Sequence, residues 1–213
     1  TGVDVNRRQS ICLARSRDLY RWDRPIDRPV FDSRDTSWAP WSFADSRECR
    51  DPWVMKHGDG YLMYYTAFEK GGPFDRDSGI PVIAVAYSRD LLHWEDRGPV
   101  MRYRVWDKTV KFWCPLESTC VFEHNGLYYL FWNMYEAGNF CIFWKVSENP
   151  LCFDGDVNLF SDHCVVFKIL HYGSPNSHFA TFTNEYFGVL RVYRLDWEGI
   201  TPRIHVSPPG YPD

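Results

Sequence analysis

The stretch "ECRDPWVMKHGDGYLMYYTA", residues 48–67, packs Glu48, Arg50 and Asp51 directly in front of Pro52. An apolar run, a Gly-Asp-Gly turn and a tyrosine-rich run follow. The same grammar returns in "ESTCVFEHNGLYYLFWN", residues 117–133: acid, apolar strand, polar glycine turn, aromatic strand. Asp-Gly or Asn-Gly between two such runs is the strongest short-range signal for a β-hairpin. Aligning Gly60 with Gly126 sets an offset of 66 positions and makes Asp51 and Glu117 equivalent.

A second motif follows each apolar strand. "ARSRDLYRWDRP" (14–25) and "AYSRDLLHWEDRGP" (86–99) share Ser-Arg-Asp-Leu-x-x-Trp-acid, with Ser16 and Ser88 72 positions apart. Aspartate that caps its own backbone, followed by tryptophan packing back, reads as a turn between strands. On this reading Trp22 and Trp94 are packing residues, and the duplicated Ser, Arg and Asp are turn chemistry. Weaker echoes occur at "KVSENPLCF" (145–153) and "YRLDWEG" (193–199). One unit is therefore strand, tight turn, strand, loop, strand, Ser-Arg-Asp-Leu turn, strand. Four antiparallel strands recurring every several tens of residues describe the blade of a β-propeller. No amphipathic helical pattern competes, so the expected class is all-β.

The sequence divides as one propeller domain, 1–213. A partial blade covers 1–46, full blades 47–105 and 110–168, and a compressed partial blade 170–213. The innermost strand of the first blade is expected upstream of Thr1.

Composition narrows the partners. Lys and Arg number 24 against 28 Asp and Glu, a net charge of −4 that argues against a nucleic-acid binder. No apolar run approaches a membrane span. Aromatic residues make up 18%, which favours strands and supplies flat faces on which sugars and bases alike stack. The opening "TGVDVNRRQS" lacks the apolar region of a signal peptide, as expected for a mature secreted chain, a cytosolic one or a fragment. Seven cysteines, none spaced C-x-x-C, read mostly as buried thiols. No zinc-type histidine spacing, dinucleotide or phosphate loop, or serine elbow appears, so neither metal nor cofactor is expected.

"CRDPWV", "YLMYYTA", "YSRDLLHWEDRGPV" and "ESTCVFEHNGLYYLFW" resemble the five-bladed β-propeller glycoside hydrolases of families 32 and 43. The likeness is good over residues 8–135 and looser beyond. It implies a carbohydrate substrate, a fructoside, arabinoside or xyloside, and is compatible with a secreted or periplasmic setting. It also implies that Glu117 is the general acid and that Asp51 stabilises the transition state and orients that acid. Arg50 then contacts the sugar, Trp113 beside Phe112 offers a stacking face, and His178 lines the pocket near His171. The family's remaining aspartate belongs to the missing first strand, and Asp4 sits in no matching hairpin. Competing readings stay open: Asp51 as a strand-entry cap paired with Arg50, Glu117 as a solvated strand end, Trp113 as packing between blades. A phosphorylase or transglycosylase on the same scaffold, or a carbohydrate-binding propeller without catalysis, are the functional alternatives.

Overall fold

The computed structural model describes residues 1–3, 9–39, 49–70, 79–103, 116–136, 138–162, 164–171, 178–184 and 190–205. The chain packs as two compact units, Thr1–Thr119 with Pro150–Cys152, and Cys120–Asn149 with Phe153–Asp213.

The first unit opens on two minimal antiparallel pairs, β1 (Gly2–Val3) with β2 (Gln9–Ser10) and β3 (Arg15–Ser16) with β4 (Trp22–Asp23). A four-stranded antiparallel sheet follows in chain order: β5 (Cys49–His57), β6 (Gly60–Lys70), β7 (Gly79–Ser88) and β8 (Glu95–Arg102). Its central strands are buried on both faces, which is why 62–68, apart from Thr66, and 82–86 read as apolar runs instead of alternating ones. Large residues face small ones across the ladder: Met63 pairs with Ala86 and Tyr65 with Ala84. These join Ile11, Phe31, Cys49, Ala67 and Val82 in one core. Burial pushes the Tyr65 phenol up, and its hydroxyl donates to Asp96 Oδ1 at 3.1 Å while Trp38 Nε1 donates to Asp96 Oδ2 at 2.8 Å.

The two Ser-Arg-Asp-Leu motifs form the same turn. Ser16 Oγ accepts the amides of Asp18 and Leu19 at 3.2 and 2.8 Å, and Ser88 Oγ those of Asp90 and Leu91 at 3.2 and 2.9 Å. Asp18 and Asp90 each take the next two amides at 2.8–2.9 Å. Both carboxylates are consequently held below the ordinary range, Asp18 chiefly by the Arg21 amide and Asp90 chiefly by His93. The tryptophans differ from expectation. Trp94 packs on the core, whereas Trp22 is 59% exposed.

β9 (Glu117–His124) leads from the first unit into the second and heads a sheet with β10 (Leu127–Glu136), β11 (Asn139–Ser147) and β12 (Asn158–Asp162). A further sheet runs β13 (Cys164–His171), β14 (His178–Asn184), β15 (Leu190–Glu198) and β16 (Thr201–His205). This moves a boundary. Residues 164–168 open the last sheet instead of closing the third, because Val165, Phe167 and Ile169 bury one face of a new first strand. The last blade is compressed in its loops yet has all four strands. "YRLDWEG" is not another Ser-Arg-Asp-Leu turn: it runs through β15 into the Gly199 hairpin. The "KVSENPLCF" echo repeats one bond of that network, Asn149 N donating to Ser147 Oγ at 3.0 Å. Aromatic stacking fills the second unit, with Phe131 on Phe167 at 4.3 Å and His124 on Trp197 at 3.7 Å. Desolvation lowers the His124 pKa accordingly.

Asn133 of β10 is the polar centre of that unit. Its amide donates to the carbonyls of Cys141 and Cys164 at 3.3 and 3.1 Å and accepts from Val166 and Phe167 at 2.9 and 3.4 Å. An asparagine amide has two donors and two acceptor sites, and all are used. Asn133→Ala is expected to cost roughly 3 kcal/mol, since it strands buried backbone groups. Urea unfolding should show the loss as a lower midpoint at unchanged slope.

Candidate functional site

The first strands of the three sheets each hold one non-glycine residue of positive φ. In β5, Arg50 pairs with Thr66 and Trp53 with Tyr64, so Asp51 and Pro52 together face one residue. That is a β-bulge, and Pro52, which has no amide to donate, is at home in it. The bulge residue Asp51 has φ 53°, and Ser118 in β9 has φ 55°. In the second unit Val166 has φ 61°, and Val166 and Phe167 fall in the gap between the Val165 and Lys168 pairings. Aspartate tolerates the left-handed region, while a β-branched valine does so only under constraint.

The hairpin turns give the same correspondence. His57 pairs with Gly60, so Gly58 and Asp59 form the turn, and Gly58 has φ 58°. Asn125 and Gly126, with φ 52° and 78°, form the other. Gly60 is a strand residue, glycine because a Cβ there would lie 2.6 Å from the Ser88 carbonyl. Matching turn to turn, and the positive-φ Asp51 to the positive-φ Ser118, gives an offset of 67, one more than the glycine alignment. Arg50 is therefore the counterpart of Glu117, and Asp51 the counterpart of Ser118. The equivalence of Asp51 with Glu117 expected from sequence is off by one residue.

Within the first unit these four residues are bonded to each other. Arg50 Nη2 donates to Glu117 Oε1 at 3.0 Å, and Arg50 Nη1 lies 3.8 Å from Asp51 Oδ2. Asp51 Oδ2 in turn accepts the Ser118 amide at 2.8 Å, and the Asp51 amide donates to Thr1 Oγ1 at 3.3 Å. The side chains are 15%, 29% and 34% exposed for Arg50, Asp51 and Glu117, so the cluster is sheltered yet reachable from solvent. Two carboxylates touching one guanidinium lie inside the roughly 9.5 Å outer limit for the paired acids of glycoside cleavage.

Next to the cluster, Cys49 is buried and accepts the Ser33 amide at 3.3 Å. Burial pushes its thiol up to about 12, as it does for Cys120, so neither is a nucleophile near neutrality. Cys12 is a half-buried free thiol.

Trp113, with Phe112, Cys114 and Asp4, lies outside the described residues. His178 opens β14 and its backbone pairs with His171 at the end of β13; their side chains are likewise outside the description. The two histidines flank the β13–β14 connection. Ser118 and Thr1 were missed. The offset between His57 and His124 would have found Ser118. Among the described residues no group of three His, Cys, Asp or Glu side chains is placed to hold a metal, and no helix is long and apolar enough to cross a membrane.

The Arg50–Glu117 bond should show in a double-mutant cycle of Arg50→Met and Glu117→Gln. A coupling of about 1 kcal/mol is expected for this part-buried pair, against nearly zero for an exposed one. Additive single-variant effects in urea unfolding would contradict it.

No protein-family model matches the chain, and no curated protein does. Solved structures do. A thermostable family-43 glycoside hydrolase superposes with a TM-score of 0.69 at 19% identity, over 99% of this chain and 70% of that one. The family-32 β-fructofuranosidase of Bombyx mori matches at 0.65 and 15% identity, over 90% of this chain and 42% of that one, and a variant of it was solved with sucrose. A xylan β-1,4-xylosidase of Bacillus halodurans matches at 0.55 and 16% identity, over 76% of this chain and 31% of that one. This chain thus spans less than half the length of the last two. What the chain shares with these proteins is the fold: an all-β, incomplete five-bladed β-propeller.

Proposed function

We propose that this chain carries the acid-bearing part of a glycosidase acting on a furanoside or pentoside, such as a fructoside, arabinoside or xyloside. The observation that carries the reading is the bridging of Asp51 and Glu117 by one guanidinium, in the fold of the family-43 and family-32 enzymes. Cleavage of a glycosidic bond needs one carboxylic acid to protonate the leaving oxygen and negative charge to stabilise the oxocarbenium-like transition state. Glu117 is assigned the proton and Asp51 the charge. Arg50 holds Glu117 through Oε1. Sugar hydroxyls offer the guanidinium new acceptors, and its departure from Oε1 frees Glu117 to face the glycosidic oxygen. His178 and Trp113 remain assigned to substrate contact.

A second reading is sugar binding without turnover. It is favoured by the structural partners both carboxylates already have, the Ser118 amide and Arg50.

The test uses the protein that contains this chain, assayed on 4-nitrophenyl arabinofuranoside, 4-nitrophenyl xyloside and sucrose. Glu117→Gln should lower kcat at least ~100-fold, the range for loss of a general acid, and Asp51→Asn should lower it comparably. A parent that hydrolyses any of these at a rate both variants match ends the assignment. Sugar release that depends on added phosphate would mark a phosphorylase, and binding without release the second reading.

A further inference from the structure

The second unit holds a groove of about 360 Å³ that shares no residue with the cluster of Arg50, Asp51 and Glu117. It is bounded by the outer strands of one sheet, β11 and β12, and by the β15–β16 hairpin of the next. Phe131 stacks on Phe167 at 4.3 Å across those sheets, and the Tyr129 hydroxyl donates to the Ile200 carbonyl at 3.1 Å. The hairpin is thereby tied to β10, and the groove is the space left between it and β11 and β12. Its sheltered part is Trp144, buried and stacked with Tyr129 at 6.0 Å, together with Val146. Leu159 and Ile200, 58% and 55% exposed, form the open part. Asp156, Asn158 and Thr201 add a carboxylate, an amide and a hydroxyl, and Asn158 Nδ2 donates to the Asp156 carbonyl at 3.1 Å. Among the described residues Asp156 is the one charged group of the lining.

The volume falls in the roughly 300–1,000 Å³ range of small-molecule sites, which pair apolar walls with a few placed polar groups. A sugar unit matches that division. Its C–H face packs on indole and aliphatic side chains, and its hydroxyls are partners for a carboxylate, an amide and a hydroxyl. With one carboxylate and no cation in the lining, an anionic sugar would set like charge against like.

We propose that this groove is a second carbohydrate site, distinct from the acid cluster, that takes one sugar unit of a neutral glycan chain. The choice of glycan rests on the glycosidase reading; the groove itself does not. The site retains a long substrate on the protein without touching the bond that breaks, so it acts on KM for long glycans and not on turnover of small ones. Gly155 completes the lining, and a Cβ placed there meets only the Val146 carbonyl, at 3.5 Å. A larger side chain at 155 is therefore accommodated by the backbone and fills the groove.

Methyl NMR on the protein that contains this chain reads the groove through Ile200, Leu159 and Val146, in a Glu117→Gln background that keeps the probes intact. The probes are xylohexaose, linear arabinohexaose and an inulin-type fructohexaose, each taken to ~10 mM so that a millimolar Kd is visible. At least one should shift the Ile200 and Leu159 methyls saturably. Gly155→Leu should weaken that binding at least tenfold, and Asp156→Ala, at an exposed position, at least threefold. With Glu117 intact, Asp156→Ala should raise KM for the corresponding polymer at least threefold and leave turnover of 4-nitrophenyl glycosides unchanged. No saturable shift with any of the three sugars overturns the site, as does an equal response to hexagalacturonate. Shifts caused by the peptide acetyl-Lys-Leu-Lys-amide and by none of the sugars mark a peptide surface and overturn it too. Where Gly155→Leu fails to fold, Asp156→Ala decides, and sugar binding that it leaves unchanged overturns the assignment. Saturable binding at Ile200 in a parent that hydrolyses nothing keeps the groove and drops the glycosidase reading; hydrolysis with silent methyls does the reverse.

Discussion

A residue with positive φ in the first strand of a sheet does not keep its amide in its own ladder, and three sheets of this protein meet that constraint at Asp51, Ser118 and Val166. An unpaired buried amide costs about 1–3 kcal/mol, and all three of these amides, the exposed one of Asp51 included, have an acceptor elsewhere. The acceptors are side chains of Thr1, Asp51 and Asn133. Conformational strain in one strand is thereby converted into a specified contact with another segment. This fixes where the acid-bearing residues sit more firmly than the weak pairing of bulged strands could do.

Packing is organised around the same strands. Sheets buried on both faces need neighbours that interdigitate, and here large residues on β6 face alanines on β7. In the second unit ring stacking contributes to this, and Asn133 supplies hydrogen bonds that its apolar neighbours lack. The turns obey a more local logic. A serine and an aspartate two residues apart satisfy four backbone amides between them, so Ser-Arg-Asp-Leu folds alike at 16–19 and 88–91 whatever surrounds it. That independence explains why Trp22 stays exposed although its twin Trp94 is packed.

Features with local causes are the ones the sequence makes legible. The hairpins, the paired Ser-Arg-Asp-Leu turns, the all-β class and the closeness of Arg50, Asp51 and Glu117 can all be read from short stretches. The offset cannot be read from glycines, because Gly60 is required by the nearby Ser88 carbonyl and Gly126 by its own positive φ. Two glycines with different causes are a false anchor, and a slip of one residue reassigns every partner in a strand. The 164–170 run was ambiguous for a related reason. A closing strand and a first strand are both short and apolar, and only pairing with β14 separates them.

The offset of 67 also explains the charged cluster in front of Pro52. In a regular strand Arg50 and Asp51 would point to opposite faces, and only one could serve a neighbour. The bulge breaks that alternation, so Arg50 reaches the Glu117 carboxylate while Asp51 reaches the very next amide, that of Ser118. Had the two acids held matching stations, like charges would have met like. Instead a cation is matched with an acid and a carboxylate with an N–H donor, and both carboxylates share the field of one guanidinium. A bulge that interrupts the β5 ladder is what allows consecutive side chains to act on the same place.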